Sequence, residues 1–419
     1  MADRPGTPPA AADPVDGADP PAGSVPRGPV PYLDHHATTP LDERVLEAMA
    51  PYLGAEFGNA ASTTHAYGWR AEAAVDLARE RLAELLGAAE PREIVFTSGA
   101  TESNNLAILG LADAAAEPGH LVTVATEHPA VLDPCRALVA RGWEVTELPV
   151  DEEGRLSLAD LDDALRDDTR LVSVMAANNE IGVIAPIAEI AQRCHARGIV
   201  FHTDAAQAAG KVALDVGAEG LDLVSVSGHK LYGPKGVGLL YVRRGGKPRV
   251  KLAPRQFGGG HEGGLRSGTL PVPLVVGLAR AYEIAESERE EEARRFAGLR
   301  DELWQALEAA LPGRVRWNGP PAGDERLPGN LNVSFEGLDG DRLLADLGGL
   351  AVSSGSACSS ARPEPSHVLL ALGHPPALAK ATLRIGFGRG NTTDDVAYAA
   401  ERILAAVQKQ LGEAPGPPG

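Results

Sequence analysis

Cysteines, basic residues and long apolar runs are all scarce in this chain of 419 residues. The three cysteines, Cys135, Cys194 and Cys358, cannot form a disulfide framework and indicate a reducing compartment, so we expect the protein in the cytoplasm. The 39 lysines and arginines are outnumbered by 57 acidic residues, and the net charge of −18 disfavours direct binding to nucleic acid or to anionic lipid. No run approaches the roughly 18 apolar residues that span a bilayer, so we expect no membrane segment.

Short apolar runs rich in β-branched residues alternate with stretches of helical periodicity. The runs are apolar almost throughout, as expected of strands buried on both faces of a parallel sheet. The stretches between them, such as 71–86 and 187–197, supply the helical crossovers. The sequence therefore predicts a doubly wound α/β fold, with a mostly parallel central sheet and helices on both faces. The predicted strands are Ile94–Phe96, Leu121–Val124, Leu171–Val174, Ile199–Phe201 and Leu223–Val226.

Changes in composition divide the chain into four parts. Residues 1–30 are rich in Pro and Ala and predict a disordered tail; a mitochondrial transit peptide is the competing interpretation, which four aspartates in this segment oppose. Residues 31–275 predict the large α/β domain, whose first residues are free to pack with the next part. Residues 276–411 predict a smaller α+β domain that opens on a long charged helix, 283–311. Residues 412–419 form a second short tail.

Two segments have the composition of a phosphate site. Ser98-Gly99-Ala100-Thr101 follows a predicted strand and opens a helix near Glu102, where backbone N–H groups converge on one point. An ordinary strand-to-helix turn with a Thr cap is the alternative. The second segment, 227–236, has Pro234 where a P-loop requires lysine, which disfavours a Walker-type NTPase. It fits a site in which Ser227 and His229 bind phosphate while the Lys230 amine bonds an aldehyde.

Two further candidates follow predicted strands. Asp204 lies at a carboxyl end, where open α/β sheets bind ligands, and its carboxylate suits the protonated ring nitrogen of pyridoxal phosphate. A helix N-cap is the alternative. His128 ends another strand and is either structural or a proton carrier, since imidazole titrates near neutral pH. The adjacent His35 and His36 lack further ligands at metal-binding spacing, so we expect no metal site.

Several motifs occur in one order over about residues 31–400. They are Tyr32–Pro40, Phe57–Asn59, Thr97–Glu102, Asn178–Gly182, the Asp204 and Lys230 segments, Arg266–Pro271, the Cys358 loop and Thr382–Ile385. Through these motifs the chain resembles the cysteine desulfurases, in the IscS/NifS-like group of class-V aminotransferases, which are fold-type I pyridoxal-phosphate enzymes. The resemblance implies that fold, with the large domain binding the cofactor and the small domain carrying a mobile cysteine loop.

The resemblance also implies a role for each candidate. Lys230 would hold the aldehyde of pyridoxal 5'-phosphate, His128 would stack on the ring and move protons, and Cys358 would accept sulfur as a persulfide. Asn179 and Arg384 would bind the substrate carboxylate, for which the planar guanidinium is suited. The cofactor-binding set is Ala100, Thr101, His128, Asn179, Asp204, Gln207, Ser227, His229, Lys230 and, from a second subunit, Thr269.

The implied function is conversion of L-cysteine to L-alanine by a homodimer. The sulfur would pass to an acceptor protein, either a scaffold for iron–sulfur cluster assembly or an enzyme of tRNA, cofactor or DNA thiolation. An aminotransferase or selenocysteine lyase of the same fold is the alternative enzyme. A non-catalytic scaffold that binds sulfur carriers is the alternative outside enzymes.

Overall fold

A seven-stranded sheet forms the centre of the structure, a computed structural model that describes residues 30–354 and 364–412. The strands lie in the order β1-β7-β6-β5-β4-β2-β3. Strand β7 runs antiparallel to both its neighbours, and every other adjacent pair is parallel, which confirms the predicted mostly parallel sheet. The strands are β1 Ile94–Thr97, β2 His120–Val124, β3 Glu144–Leu148, β4 Thr169–Ser173, β5 Val200–Asp204, β6 Leu223–Ser227 and β7 Gly238–Val242.

All five predicted strands are present, and two unpredicted strands complete the sheet. Strand β3 occupies one edge, where exposed polar residues are tolerated, so its sequence lacks the apolar run of a central strand. Strand β7 follows the Lys230 turn without a crossover helix and returns antiparallel between β1 and β6. Its close packing requires glycine at position 238, because a Cβ there would lie 2.4 Å from the Val226 carbonyl oxygen.

Helices cover both faces of the sheet and continue into the smaller part of the fold. The predicted helices 71–86 and 187–197 correspond to α2 and α6; α2 begins five residues earlier than predicted, where the His65 ring accepts a hydrogen bond from Gly68 N. No helix in the described part of the chain is long and apolar enough to cross a membrane. The helices are α1 Glu43–Leu53, α2 Ala66–Leu86, α3 Ala100–Ala114, α4 Pro129–Val139, α5 Leu158–Ala164, α6 Ile187–Ala196, α7 Val272–Ala310, α8 Gly340–Asp346, α9 His367–Ala371, α10 Pro376–Lys380 and α11 Thr393–Gly412.

Helix α7 belongs to two hydrophobic cores. It begins at Val272 rather than at the predicted residue 283, because its apolar first turns, including Leu278 and Tyr282, pack in the core of the large sheet. Its second half contributes Leu303 and Leu307 to a separate core. The domain boundary at 275 therefore falls inside a continuous helix and stays a prediction.

The second core lies on a three-stranded antiparallel sheet, in which β9 is central. Leu33 packs in this core, and His35 N donates to Gly386 O of β10 at 3.2 Å, so the start of the described chain joins the smaller sheet. Residues 34–39 therefore connect the smaller sheet to the large sheet, where Thr39 N donates to His229 O. The strands are β8 Val315–Trp317, β9 Asn330–Phe335 and β10 Thr382–Gly386.

Candidate active site

A cleft of about 520 Å³ lies at the carboxyl ends of β1, β2, β5 and β6. The carboxyl ends of parallel strands share one edge of the sheet, which is why motifs far apart in sequence meet there. The strap formed by residues 36–38 and the side chain of Arg384 from the smaller sheet complete its walls. The predicted site residues that line it are Ala100, Thr101, His128, Asn179, Asp204, Gln207, Ser227, His229, Lys230 and Arg384.

The first turn of α3 forms one end of the cleft. Gly99 precedes it with a φ of 148°, which L side chains rarely adopt, and lets the chain turn from β1 into the helix. Ala100 and Thr101 are therefore the first helical residues, with backbone N–H groups that suit an anion. The nearby carboxylate of Glu102 is paired with Arg266 at 2.8 Å.

Ser227 ends β6 close to Gly99, and His229 lies on the turn that follows the strand. The His229 Nδ1 atom is 3.0 Å from Thr38 Oγ1. Burial, aided by the charges of Lys230 and Lys235, lowers the pKa of His229 to about 4. The ring is consequently neutral near pH 7 and keeps one N–H that can donate a hydrogen bond.

The Lys230 amine is hydrogen-bonded to the strap formed by residues 36–38. Its Nζ donates to the carbonyl oxygens of His36 at 2.6 Å and Ala37 at 2.8 Å. The strap itself is fixed to the lysine turn, since Thr39 N donates to His229 O at 2.9 Å. The amine is thus held in place at the cleft wall.

Asp204 ends β5 and is 4% exposed. One of its oxygens accepts from Asn104 Nδ2 at 2.7 Å, and the other accepts from Ala206 N at 2.9 Å. The predicted carboxylate is therefore both a local turn-former and a cleft residue. Asn104 on α3 was missed, because its partner is 100 residues away in the sequence.

The His128 ring is oriented by the helix that it caps. Its Nδ1 accepts a hydrogen bond from Ala130 N at 3.0 Å, so the proton of the neutral ring is on Nε2. Burial lowers the pKa of His128, although the charge of Asp204 opposes this effect. The structural and the functional interpretation of this histidine are compatible, since the cap fixes the tautomer.

Arg384 on β10 carries a buried guanidinium group into the cleft. Its Nη2 donates to Asp34 Oδ1 at 3.0 Å, and its Nη1 donates to the backbone oxygen of Asn179 at 3.2 Å. Its Nε has no hydrogen-bond partner among the described residues. Asp34, which Ser353 Oγ also contacts at 2.6 Å, orients the arginine and was not predicted as a site residue.

Glu180, the residue after Asn179, is hydrogen-bonded to Ser366 and so links a second part of the chain to the region near the cleft. This carboxyl is buried, and burial raises its pKa to about 7. Ser366 Oγ donates to its Oε2 at 2.5 Å. The chain is thus anchored near the cleft both at Ser353 and at Ser366.

Two predicted site residues are not brought into the cleft by the described structure. Thr269 is exposed and does not line the cleft. Cys358 lies outside the described residues, so its role and the expected motion of its loop stay predictions. Among the described residues, no group of three or more His, Cys, Asp or Glu side chains is arranged to hold a metal ion.

Comparison with known proteins identifies the family of the chain. The aminotransferase class-V family model matches residues 31–398. The chain is 52% identical over 379 residues to a protein named cysteine desulfurase IscS from Colwellia psychrerythraea, covering 90% of this chain and 92% of that protein. Its structure is similar to that of a NifS-like protein, with a TM-score of 0.83 and 36% identity over 91% of this chain and all of that one. It is also similar to a structure titled SspA in complex with cysteine, with a TM-score of 0.75 and 39% identity, covering 85% and 98% of the two chains. The fold, the cleft and these matches together establish that the chain belongs to the aminotransferase class-V family.

Proposed function

We propose that this protein is a cysteine desulfurase that converts L-cysteine to L-alanine and transfers the sulfur to Cys358. The observation that carries the proposal is a single cleft that joins a lysine amine, a buried carboxylate, an anion-binding helix end and a buried arginine. Relatives about half identical to this chain bear the name of that enzyme, which supports the same conclusion.

Pyridoxal 5'-phosphate is the cofactor that this set of side chains fits. The α3 N-terminus, Ser227 and His229 provide donors for a phosphate, and Asp204 provides a carboxylate for a protonated ring nitrogen. The side-chain oxygen of Asn104 is buried without a partner among the described residues, so the cleft wall has unused hydrogen-bonding capacity. When bound, the cofactor supplies an aldehyde that bonds amines and a ring that accepts electrons.

Other side chains around the cleft bind the substrate and transfer protons. Arg384, held by Asp34, binds the carboxylate of L-cysteine through its guanidinium. The Lys230 Nζ would hold the cofactor through its aldehyde and, as a free amine, would move protons at the substrate α-carbon. His128 holds a proton on Nε2 and exchanges it with the reacting groups.

Sulfur transfer requires the thiolate of Cys358. This thiolate attacks the substrate sulfur, the bond between carbon and sulfur breaks, and the β-carbon takes a proton to become the methyl group of alanine. The new bond joins two sulfur atoms, so the enzyme holds a persulfide and no external oxidant is consumed. A dithiol or an acceptor thiol then removes the outer sulfur.

Product analysis tests this proposal against the two alternatives. Cofactor-loaded protein is incubated with L-cysteine and dithiothreitol, and we expect alanine and sulfide in equal amounts. A keto acid formed without sulfide would favour an aminotransferase, and no product from loaded protein would favour a scaffold. The same assay with L-selenocysteine measures the selenocysteine lyase activity.

Substitution of Arg384 by lysine is expected to raise the KM for L-cysteine by roughly 10- to 100-fold, with a smaller change in kcat. The guanidinium makes hydrogen bonds in a fixed fork, and a hydrogen bond to a charged group contributes about 1.5–3 kcal/mol. Steady-state kinetics of alanine formation measure the effect. Arg402→Lys, on the surface of α11, is the matched control; equal KM values for the two variants would contradict the role of Arg384.

A homodimer in which Thr269 completes the partner's phosphate site is the proposed assembly. Thr269 is exposed outside its own cleft, and large apolar side chains are exposed in the neighbouring segments, with Phe57 72% and Phe257 82% accessible. The segments 59–61 and 261–262 line one hollow with Leu270, so these segments are adjacent on the surface. An apolar surface of this kind favours association with a second copy.

Mixed dimers test whether Thr269 acts in the partner's site. Thr269→Ala removes a hydrogen bond to phosphate and is expected to weaken cofactor binding by roughly tenfold. In a mixed dimer of the Thr269→Ala and Lys230→Ala chains, one site combines an intact Lys230 with the intact Thr269 of the other chain. Equilibrium binding should therefore show one site of wild-type affinity. Binding at only the weakened affinity would mean that Thr269 acts within its own subunit.

The proposed partner of the persulfide is a sulfur-acceptor protein in the cytoplasm. The scarcity of cysteine supports a reducing compartment, and the acidic net charge opposes direct transfer to nucleic acid. A scaffold for cluster assembly and an enzyme of thiolation both accept sulfur from the same persulfide. Radiolabelled sulfur from cysteine, followed into proteins bound to the enzyme, identifies the acceptor.

A further inference from the structure

Lys211 is a half-buried lysine close to the cleft with no role in the mechanism above. It follows Gln207 by four residues and lines, together with Lys230, a small cavity of about 30 Å³. Most of the remaining wall is apolar and includes Phe296 and Phe387. A lysine in such a place loses solvation, so its hydrogen-bond partner is informative.

The partner of Lys211 is the side-chain amide of Gln207, a residue that lines the cleft. Lys211 Nζ donates to Gln207 Oε1 at 2.9 Å. On the other side of the amide, Gln207 Nε2 donates to the His36 carbonyl oxygen at 2.8 Å. An ammonium can only donate and a carbonyl can only accept, so the two contacts together allow one orientation of the amide.

His36 reinforces this orientation. Its Nδ1 lies 3.2 Å from Gln207 Oε1, which requires the ring proton on Nδ1, and burial keeps the pKa of the ring well below its usual value. The carbonyl oxygen of His36 also accepts from Lys230 Nζ. The amide has two N–H groups, so one remains for a ligand in the cleft when the other binds His36 O.

Lys211 and Lys230 also affect each other by charge. Burial and then the charge of Lys230 lower the pKa of Lys211 to about 7, while Glu292 opposes the shift. Since like charges act reciprocally, a charged Lys211 disfavours protonation at Lys230 Nζ. The titratable groups around this cavity are His35, His36, Lys230, Tyr232, Arg289 and Glu292.

We propose that Lys211 is a positioning residue: it holds Gln207 Oε1 and thereby directs a Gln207 N–H toward the ring oxygen of the bound cofactor. The inference rests on the proposed function, because it assigns the cleft to pyridoxal phosphate. It adds a residue behind the cleft wall that touches neither cofactor nor substrate.

The test measures cofactor binding and the cofactor's absorbance rather than turnover. Lys211→Met keeps the length of the side chain and removes the donor and the charge. We expect the dissociation constant of pyridoxal phosphate to rise roughly tenfold, as for the loss of one hydrogen bond. We also expect the pH midpoint of the visible absorbance change to rise, since the charge that Lys211 carries below its pKa of about 7 is gone. Lys211→Arg, which keeps donor and charge, should remain within about threefold of wild type in affinity.

A double-mutant cycle distinguishes positioning from general support of the fold. If Lys211 acts through Gln207, adding Lys211→Met to Gln207→Leu should weaken binding by less than about threefold further. A tenfold further loss in that background, or wild-type affinity and midpoint in Lys211→Met alone, would overturn the proposal. Lys211→Leu is measured in parallel, with thermal unfolding of each chain, so that the result does not depend on one variant folding. Wild-type protein that binds no pyridoxal phosphate would overturn the proposed function itself.

Discussion

Replacing Lys230 with alanine is expected to lower kcat for alanine formation by at least about a thousandfold, since general acid–base catalysis alone contributes roughly 10²–10⁴. The variant loses the amine that we propose both bonds the aldehyde and moves the α-proton. The fold should persist, because the Nζ contacts are to backbone oxygens of the strap and leave the cores unchanged. Alanine release and the absorbance spectrum of the loaded protein measure the two losses.

The matched control for this substitution is Lys409→Ala. Lys409 lies on the exposed surface of α11, where its one ion pair among the described residues is with Asp346. Its loss should therefore leave turnover within about twofold of wild type, since surface pairs contribute little. If Lys230→Ala retained more than a tenth of wild-type turnover, the amine would not be the group that holds the cofactor. The spectrum would then identify a different attachment.

Substitution of Cys358 by serine is expected to abolish sulfide release and to lower desulfuration by at least about a thousandfold, as for other enzymes that lose their nucleophile. A serine oxygen cannot form a persulfide. Mass spectrometry of protein treated with cysteine should find one added sulfur atom in the wild type and none in the variant. Alanine formation at an unchanged rate in Cys358→Ser would favour a lyase or aminotransferase that uses no thiol.

The other two cysteines serve as internal controls for that experiment. Cys135 and Cys194 are buried in the cores, and burial raises the pKa of both thiols to about 12. Neither is ionised near pH 7, so brief alkylation should label one thiol in the wild type and none in Cys358→Ser. Cys135→Ala and Cys194→Ala should keep their desulfuration activity. Loss of persulfide in either of them would show that Cys358 is not the acceptor.

The cleft residues were predictable where a motif follows a strand. Four of them lie at or just after the carboxyl ends of β2, β5 and β6: His128, Asp204, Ser227 and Lys230. The topology of a parallel sheet brings such positions together. Because the residue types themselves indicate what each side chain can do chemically, the sequence was sufficient to propose one site.

The residues that orient this set were not predictable. Asp34 contacts Arg384 across 350 positions, and no local pattern relates the two. Asn104 is a polar residue in a largely buried helix, and nothing in the local sequence indicates that it donates to Asp204. The start of α7 was missed because a short apolar run is compatible with either a strand or a helix. Its first turns are helical because they pack in the core of the large sheet, which the local sequence does not reveal.

The hydrogen bonds of Ser353 and Ser366 hold the chain near the cleft on both sides of the segment that contains the proposed sulfur acceptor. Cys358 follows Ser353 by five residues and precedes Ser366 by eight, and an extended chain spans at most about 3.5 Å per residue. Chain connectivity therefore tethers the proposed sulfur acceptor by about 17 Å of extended backbone to Ser353, which contacts Asp34 beside Arg384. Under the proposed function, sulfur delivery would be short-range, and an acceptor would have to bring its own thiol to the rim of this cleft.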